Sequence, residues 1–194
     1  MLCTMKYDSP VGELLLAEKN GALAGLWIMG QKYFPDFRQK EVKENADSRI
    51  LNQTKEWLNR YFRGEKPQIR ELPLAPEGSA FRKVVWELLC EIPYGEVTTY
   101  GELSRKIAAG LGLERMSAQA VGGAVGHNPI SIIIPCHRVT GTNGSLTGYA
   151  GGLDRKVRLL QMEGVDMKGL FIPAGKNGVK EVHRRRTHVG KAEC

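Results

Sequence analysis

The sequence predicts an α+β fold in two parts: a small antiparallel-sheet unit, then a mainly helical unit carrying a helix-turn-helix. Three observations carry this: strand-like runs broken by turn residues in the first thirty positions, a proline-dense stretch near residue 70, and helical-period apolar stripes beyond it.

Residues 2–8, 11–19 and 22–28 read as a β-meander, separated by Ser9-Pro10 and by the hairpin turn Asn20-Gly21. Over 48–62, Ile50, Leu51, Trp57, Leu58, Tyr61 and Phe62 recur at helical spacing, and Gly64 supplies a stop. These parts form an N-terminal domain, 1–66. Pro67, Pro73 and Pro76 mark 67–78 as an extended connector.

The second domain, 79–168, opens with Ser79 capping a helix whose stripe is Phe81, Val84, Val85, Leu88 and Leu89, ended before Pro93. Thr99-Tyr100-Gly101-Glu102 is a capping box, because the Thr hydroxyl and Glu carboxylate each satisfy a free N–H at a helix start. That helix runs to about Ala109, and a second starts at Ser117 and continues to Val125, which together suggest a helix-turn-helix. Glycine is costly inside a helix, so Gly122 and Gly123 among Ala118, Ala120 and Ala124 require a reason, such as close approach to a groove.

Composition bounds the function. The chain has 194 residues, 42% of them hydrophobic, enough for a real core. No apolar run nears the roughly 18 residues of a membrane span, and the first residues lack the layout of a secretion signal, so a cytoplasmic protein without membrane contact is expected. Cys3, Cys90, Cys136 and Cys194 stand singly, with no spacing for a metal cluster, so neither a metal nor another cofactor is expected. The net charge of +7 invites a polyanionic partner, yet six Lys or Arg against two Glu lie from Lys176 onward, leaving only +3 elsewhere. Residues 169–194 therefore read as a basic tail, and a monomer is the default.

Chemistry concentrates at Asn128-Pro129-Ile130-Ser131-Ile132-Ile133-Ile134-Pro135-Cys136-His137-Arg138-Val139. An apolar β-branched run reads as a buried strand, halted by proline where it presents a cysteine. His137 is the only base beside a cysteine, and Arg138 adds positive potential, both of which favour thiolate. Neighbours on an extended segment face opposite ways, so His137 needs a water to relay the proton. A carboxylate must then orient the imidazole; Glu163, after a predicted helix over 154–162, is one candidate, which spacing alone does not select.

Pro135-Cys136-His137-Arg138-Val139, with Ala120-Val121-Gly122-Gly123-Ala124 and Asn128-Pro129 upstream and Gly148-Tyr149-Ala150-Gly151-Gly152-Leu153 downstream, resembles the O6-alkylguanine-DNA alkyltransferases of bacterial type over 81–164. The N-terminal unit is similar only in layout, that of a ribonuclease H-like sheet. The resemblance implies direct-reversal DNA repair: an irreversible, single-turnover transfer of the alkyl group of O6-alkylguanine, and of O4-alkylthymine, from duplex DNA to Cys136. It makes His137 and Glu163 the relay, and Tyr100 the proton donor to guanine N3. The carbonyls of Cys136 and Val139 would accept from the guanine amine, Tyr149 and the N–H of Ala150 would address O6, and Asn128 would join the DNA-reading helix to the active segment.

Because the lesion is hidden in the stack, it must be rotated out. The resemblance implies a helix-turn-helix docked in the minor groove, with Ala118, Gln119, Ala120, Gly122, Gly123 and Arg138 as the DNA-contacting set. Here the chain departs from the family, which places an arginine where Gln119 stands, so weaker extrusion or greater salt sensitivity is expected. Some relatives hold a structural zinc near the N-terminus through Cys and His; this chain has no His before His127, and Cys3 alone cannot hold it.

Three rivals differ in chemistry. An alkyltransferase-like lesion binder would lack the acceptor cysteine. A helix-turn-helix regulator would read bases with polar side chains, which Ala and Gly are not. A cysteine hydrolase would need a dyad that adjacent residues form poorly.

Overall fold

The computed structural model describes residues 1–38, 41–173 and 180–181. Strands β1 (Leu2–Ser9), β2 (Gly12–Lys19) and β3 (Ala22–Ile28) form the expected antiparallel meander. The β2–β3 turn sits at positive φ at both Asn20 and Gly21 (53° and 79°), which matches the twist of a tight hairpin.

One expectation is corrected: the sheet is mixed. A fourth strand, β4 (Val42–Glu44), pairs parallel to β1, giving the order β3-β2-β1-β4. Its three residues are all exposed, so no alternation of burial marks it in the sequence.

Helix α1 (Arg49–Phe62) starts at Ser48, whose hydroxyl accepts from the N–H of Leu51. Its buried side, with Leu51, Trp57, Leu58 and Tyr61, packs into the same core as Leu14, Leu16, Leu26 and Ile28 of the sheet. The connector does more than span a gap. It contains a 3₁₀ turn (Ile69–Glu71) and lies beside β3, with the N–H of Leu23 donating to Pro73 and that of Ala75 to Leu23, each at 2.8 Å.

Helices α2 (Ala80–Cys90), α3 (Tyr100–Gly110) and α4 (Ala118–Gly126) follow, the first two with the hydroxyl caps read from sequence at Ser79 and Thr99, the third capped by Ser117. Trp86 of α2, 1% exposed, donates from Nε1 to the carbonyl of Ala124 at 2.9 Å, which fixes α4 against α2. A short strand β5 (Thr98–Thr99) pairs in parallel with β6 (Val139–Thr140), tying the start of α3 to the cysteine segment. Helix α5 (Leu153–Met162) ends at Glu163, and β7 (Phe171–Ile172) pairs with β8 (Lys180–Glu181). Of the tail expected at 169–194, residues 174–179 and 182–194 lie outside the described residues, whereas Phe171 is tied back to the domain by accepting from the N–H of Leu146 at 2.8 Å.

The strand expected at 130–134 is absent: Ile130 makes a single parallel bridge to Leu26, and the residues that follow to 134 turn and bend. Burial on all sides removes any periodicity, which makes such a run indistinguishable from a core strand by pattern. The segment is held to β3 by Leu26, whose N–H donates to Pro129 at 2.9 Å and whose carbonyl accepts from Ser131 at 2.8 Å. Ile132 adopts φ 71°, a conformation that costs a β-branched residue of order 1–3 kcal/mol. The apolar core is continuous from Leu14 and Leu58 through Val85 and Trp86 to Ile133 and Cys136.

Candidate active site and DNA-facing helix

Cys136 opens a 3₁₀ turn (Cys136–Arg138) rather than ending a strand, so the alternation assumed for an extended segment does not apply. Asn128, just past α4, is buried and saturates this region. Its Nδ2 donates to the carbonyls of Ile134 (2.8 Å) and Ile130 (3.3 Å) and lies 3.1 Å from Cys136 Sγ, while its Oδ1 accepts from the N–H of Ile130. One side chain thus couples the end of α4 to the cysteine.

Burial pushes the Cys136 thiol up, outweighing the Asn128 donor and the charge of Lys156, so the resting sulfur is protonated. His137 is fully buried, and burial moves its pKa below the ordinary value despite Glu163. Its Nε2 lies 2.8 Å from Glu163 Oε1; because Glu163 is a carboxylate, that nitrogen carries the proton. Nδ1 is left with a bare lone pair and has no hydrogen-bond partner among the described residues. Burial alone would raise Glu163, but donors from His137 and Arg138 together hold it well below the carboxylate range.

Arg138 needs correction. It is 6% exposed, and its guanidinium is bound inward: Nε and Nη2 donate to Glu163 at 2.8 and 2.9 Å, and Nη1 to the carbonyl of Ile92 at 2.6 Å. Pointing from the 3₁₀ turn towards the end of α5 and the stretch after α2, the guanidinium serves as counter-charge to Glu163 rather than standing on the surface as a contact for DNA would.

Tyr100, the first residue of α3, donates to the carbonyl of Thr147 at 3.2 Å. Burial, with Cys136 nearby, pushes its phenol up to about 12, so it stays a proton donor. Tyr149 is buried, its ring edge-on to His137 at 6.4 Å between centroids. The loop around it is packed: a Cβ on Gly148 would stand 2.6 Å from the Tyr100 hydroxyl, and one on Gly151 2.6 Å from the Tyr149 ring. These glycines permit contact. Ala150, half-buried, accepts from the N–H of Lys32 through its carbonyl.

Sequence reasoning missed Lys156. Fully buried on α5, its Nζ donates to the carbonyls of Val139 (2.6 Å) and Thr147 (2.8 Å), joining the floor of the site to the loop. Burial brings it down to about 8. The available signal was a lysine spaced i+3 from Leu153 and i−4 from Leu160 on an otherwise apolar face.

On α4, Ala118, Gln119, Ala120 and Gly123 are exposed and Gly122 is half-buried. No atom lies within 4 Å of a Cβ built at Gly123, and at Gly122 the Tyr100 ring is at an ordinary 3.8 Å. Among the described residues nothing requires these glycines, and they leave the backbone of α4 uncovered on this side.

Two family models match the chain: 6-O-methylguanine DNA methyltransferase, ribonuclease-like domain, over residues 2–76, and 6-O-methylguanine DNA methyltransferase, DNA binding domain, over residues 80–165. The chain belongs to the 6-O-methylguanine DNA methyltransferase family. Among curated relatives, the methylated-DNA--protein-cysteine methyltransferase of Haemophilus influenzae is 38% identical over 94% of this chain and 95% of its own length. That of Methanosarcina acetivorans is 44% identical over 81% and 96%. Among solved structures, Mycobacterium tuberculosis OGT in complex with DNA superposes with a TM-score of 0.71 at 41% identity, covering 84% of this chain and 93% of that one. As a member of this methyltransferase family, the chain places Cys136 and His137 within the span of the DNA-binding model and Tyr61 within that of the ribonuclease-like one.

Proposed function

We propose that the protein repairs DNA by moving the alkyl group of O6-alkylguanine, and of O4-alkylthymine, from a duplex onto Cys136, once per molecule. The observation that carries this reading is the buried thiol of Cys136, bound by Asn128 and followed by a His137–Glu163 pair whose remaining imidazole nitrogen is free to accept a proton.

The extruded guanine is held by the carbonyls of Cys136 and Val139, with Tyr149 and the N–H of Ala150 at O6. His137 takes the thiol proton at Nδ1, through a bridging water. Sγ attacks the alkyl carbon, the S–C bond forms as the C–O6 bond breaks, and the electron pair passes into the purine. Tyr100 donates to N3 as that charge builds, and the proton held by His137 returns through solvent to the Tyr100 phenolate, so that the net change is loss of the thiol proton and gain of one proton by guanine. A thioether has no easy return to thiol, which makes the reaction stoichiometric. The small exposed face of α4 enters the minor groove, and Gln119 takes the space of the rotated base. A cytoplasmic location fits this role; no helix among the described residues is long and apolar enough to cross a membrane.

Incubation with a duplex carrying O6-methylguanine is expected to add one methylene to the Cys136 peptide in mass spectra, with one lesion cleared per molecule. Turnover of many lesions, or an unmodified sulfur, overturns the reading. Gln119→Arg is expected to tighten duplex binding by up to about tenfold at low salt and to steepen its salt dependence by about one counterion. Titrations at two ionic strengths, with the single-turnover rate, check this; no change in affinity or rate refutes the part given to Gln119.

A further inference from the structure

Glu163 has a partner outside the helical unit. Tyr61, on the last turn of α1, donates its hydroxyl to Glu163 Oε1 at 2.6 Å, the same oxygen that faces His137 Nε2 at 2.8 Å. Tyr61 is 3% exposed and held edge-on by Tyr94 (5.9 Å) and stacked on Trp57 (5.5 Å), so its hydroxyl is aimed by packing. Burial, with Glu163 beside it, lifts its pKa well above the ordinary phenol value, so it remains a donor wherever the protein is folded.

A buried histidine beside an uncompensated carboxylate is driven towards imidazolium, which could not accept a thiol proton. Here the carboxylate is already engaged by two Arg138 donors and by the phenol. We propose that Tyr61 is a positioning residue of the site: by sharing Glu163 Oε1 it withdraws negative charge from His137 and keeps the imidazole neutral and oriented. The sheet unit thereby contributes directly to the proton relay. The groups facing this cluster are Tyr61 from α1, Tyr94 and the N–H of Gly95 from the stretch after α2, Cys136, His137 and Arg138 from the 3₁₀ turn, Tyr149 from the loop before α5, edge-on to His137, and Lys156 from α5, whose charge also opposes imidazolium. This inference rests on the alkyl-acceptor reading of Cys136 only for its consequence in repair.

The test is the pH dependence of Cys136 modification in Tyr61→Phe, read by peptide mass with two reagents, methylated duplex and iodoacetamide. Loss of the hydroxyl concentrates charge on Oε1 and raises the pH at which His137 protonates. The acid limb is therefore expected to move up by about one pH unit, so that modification slows up to about tenfold below the limb and matches wild type above it. A variant with 3-fluorotyrosine at position 61, a stronger donor of nearly unchanged shape, is expected to move the limb down, and it keeps the test open should the phenylalanine variant fold poorly. An unmoved limb in the folded variants, with any loss of rate equal at every pH, overturns the proposal. A limb that moves with iodoacetamide while methylated duplex leaves wild-type sulfur untouched supports the role of Tyr61 and refutes alkyl transfer; transfer with an unmoved limb does the reverse.

Discussion

Cys136→Ala is expected to abolish alkyl transfer while leaving affinity for a methylated duplex within a few-fold of wild type. Cys136 is 5% exposed and its sulfur accepts one contact from Asn128, but Asn128 keeps the carbonyls of Ile134 and Ile130 and the N–H of Ile130 when the thiol is gone. The tie between α4 and the active segment therefore survives, and so does the exposed small-residue face to which the proposed function assigns DNA contact. Removing one buried atom leaves a small void, worth about 1 kcal/mol. Mass spectrometry of the Cys136 peptide and fluorescence anisotropy with labelled duplex separate the outcomes; parallel loss of binding and transfer would make the residue structural.

Glu163→Gln is expected to cost about 3–5 kcal/mol of stability, because it strips the counter-charge from a buried arginine. The amide also turns one acceptor into a donor against His137, Tyr61 or Arg138, all of which donate there. The cost has a defined pH window. Glu163 titrates lower in the folded chain than in the unfolded one, so its stabilisation is complete above about 4.5, the ordinary carboxylate value, and is lost as pH falls towards the folded value. Urea unfolding at pH 7, 5 and 3.5 should show wild type and variant converging as acidity rises. A gap that stays constant would mean that Glu163 is not held as a carboxylate.

What the sequence made legible was local. The hairpin at Asn20-Gly21, the caps at Ser79 and Thr99, and the helix starts at Ser48 and Ser117 all follow from chemistry within four residues along the chain. The cysteine, the histidine and the small-residue helix were legible because their motif is contiguous. The rest depended on approach in space. Tyr61 and Glu163 are 102 positions apart, and nothing near either one announces the other. Arg138 looked like a surface cation because sequence gives its charge and not its direction. The turns at 130–134 were hidden by uniform burial, which erases the alternation that separates strand from loop.

The wiring around Glu163 and Leu26 also bears on modularity. Cutting the chain in its proline-rich stretch would not release two working pieces. The C-terminal fragment would lose the phenol that steadies its carboxylate, and the backbone of Pro129 and Ser131 would lose its partners on β3 just before the cysteine. The sheet half is thus a scaffold for the reactive segment, and truncated forms of this chain call for a redesigned support rather than simple excision.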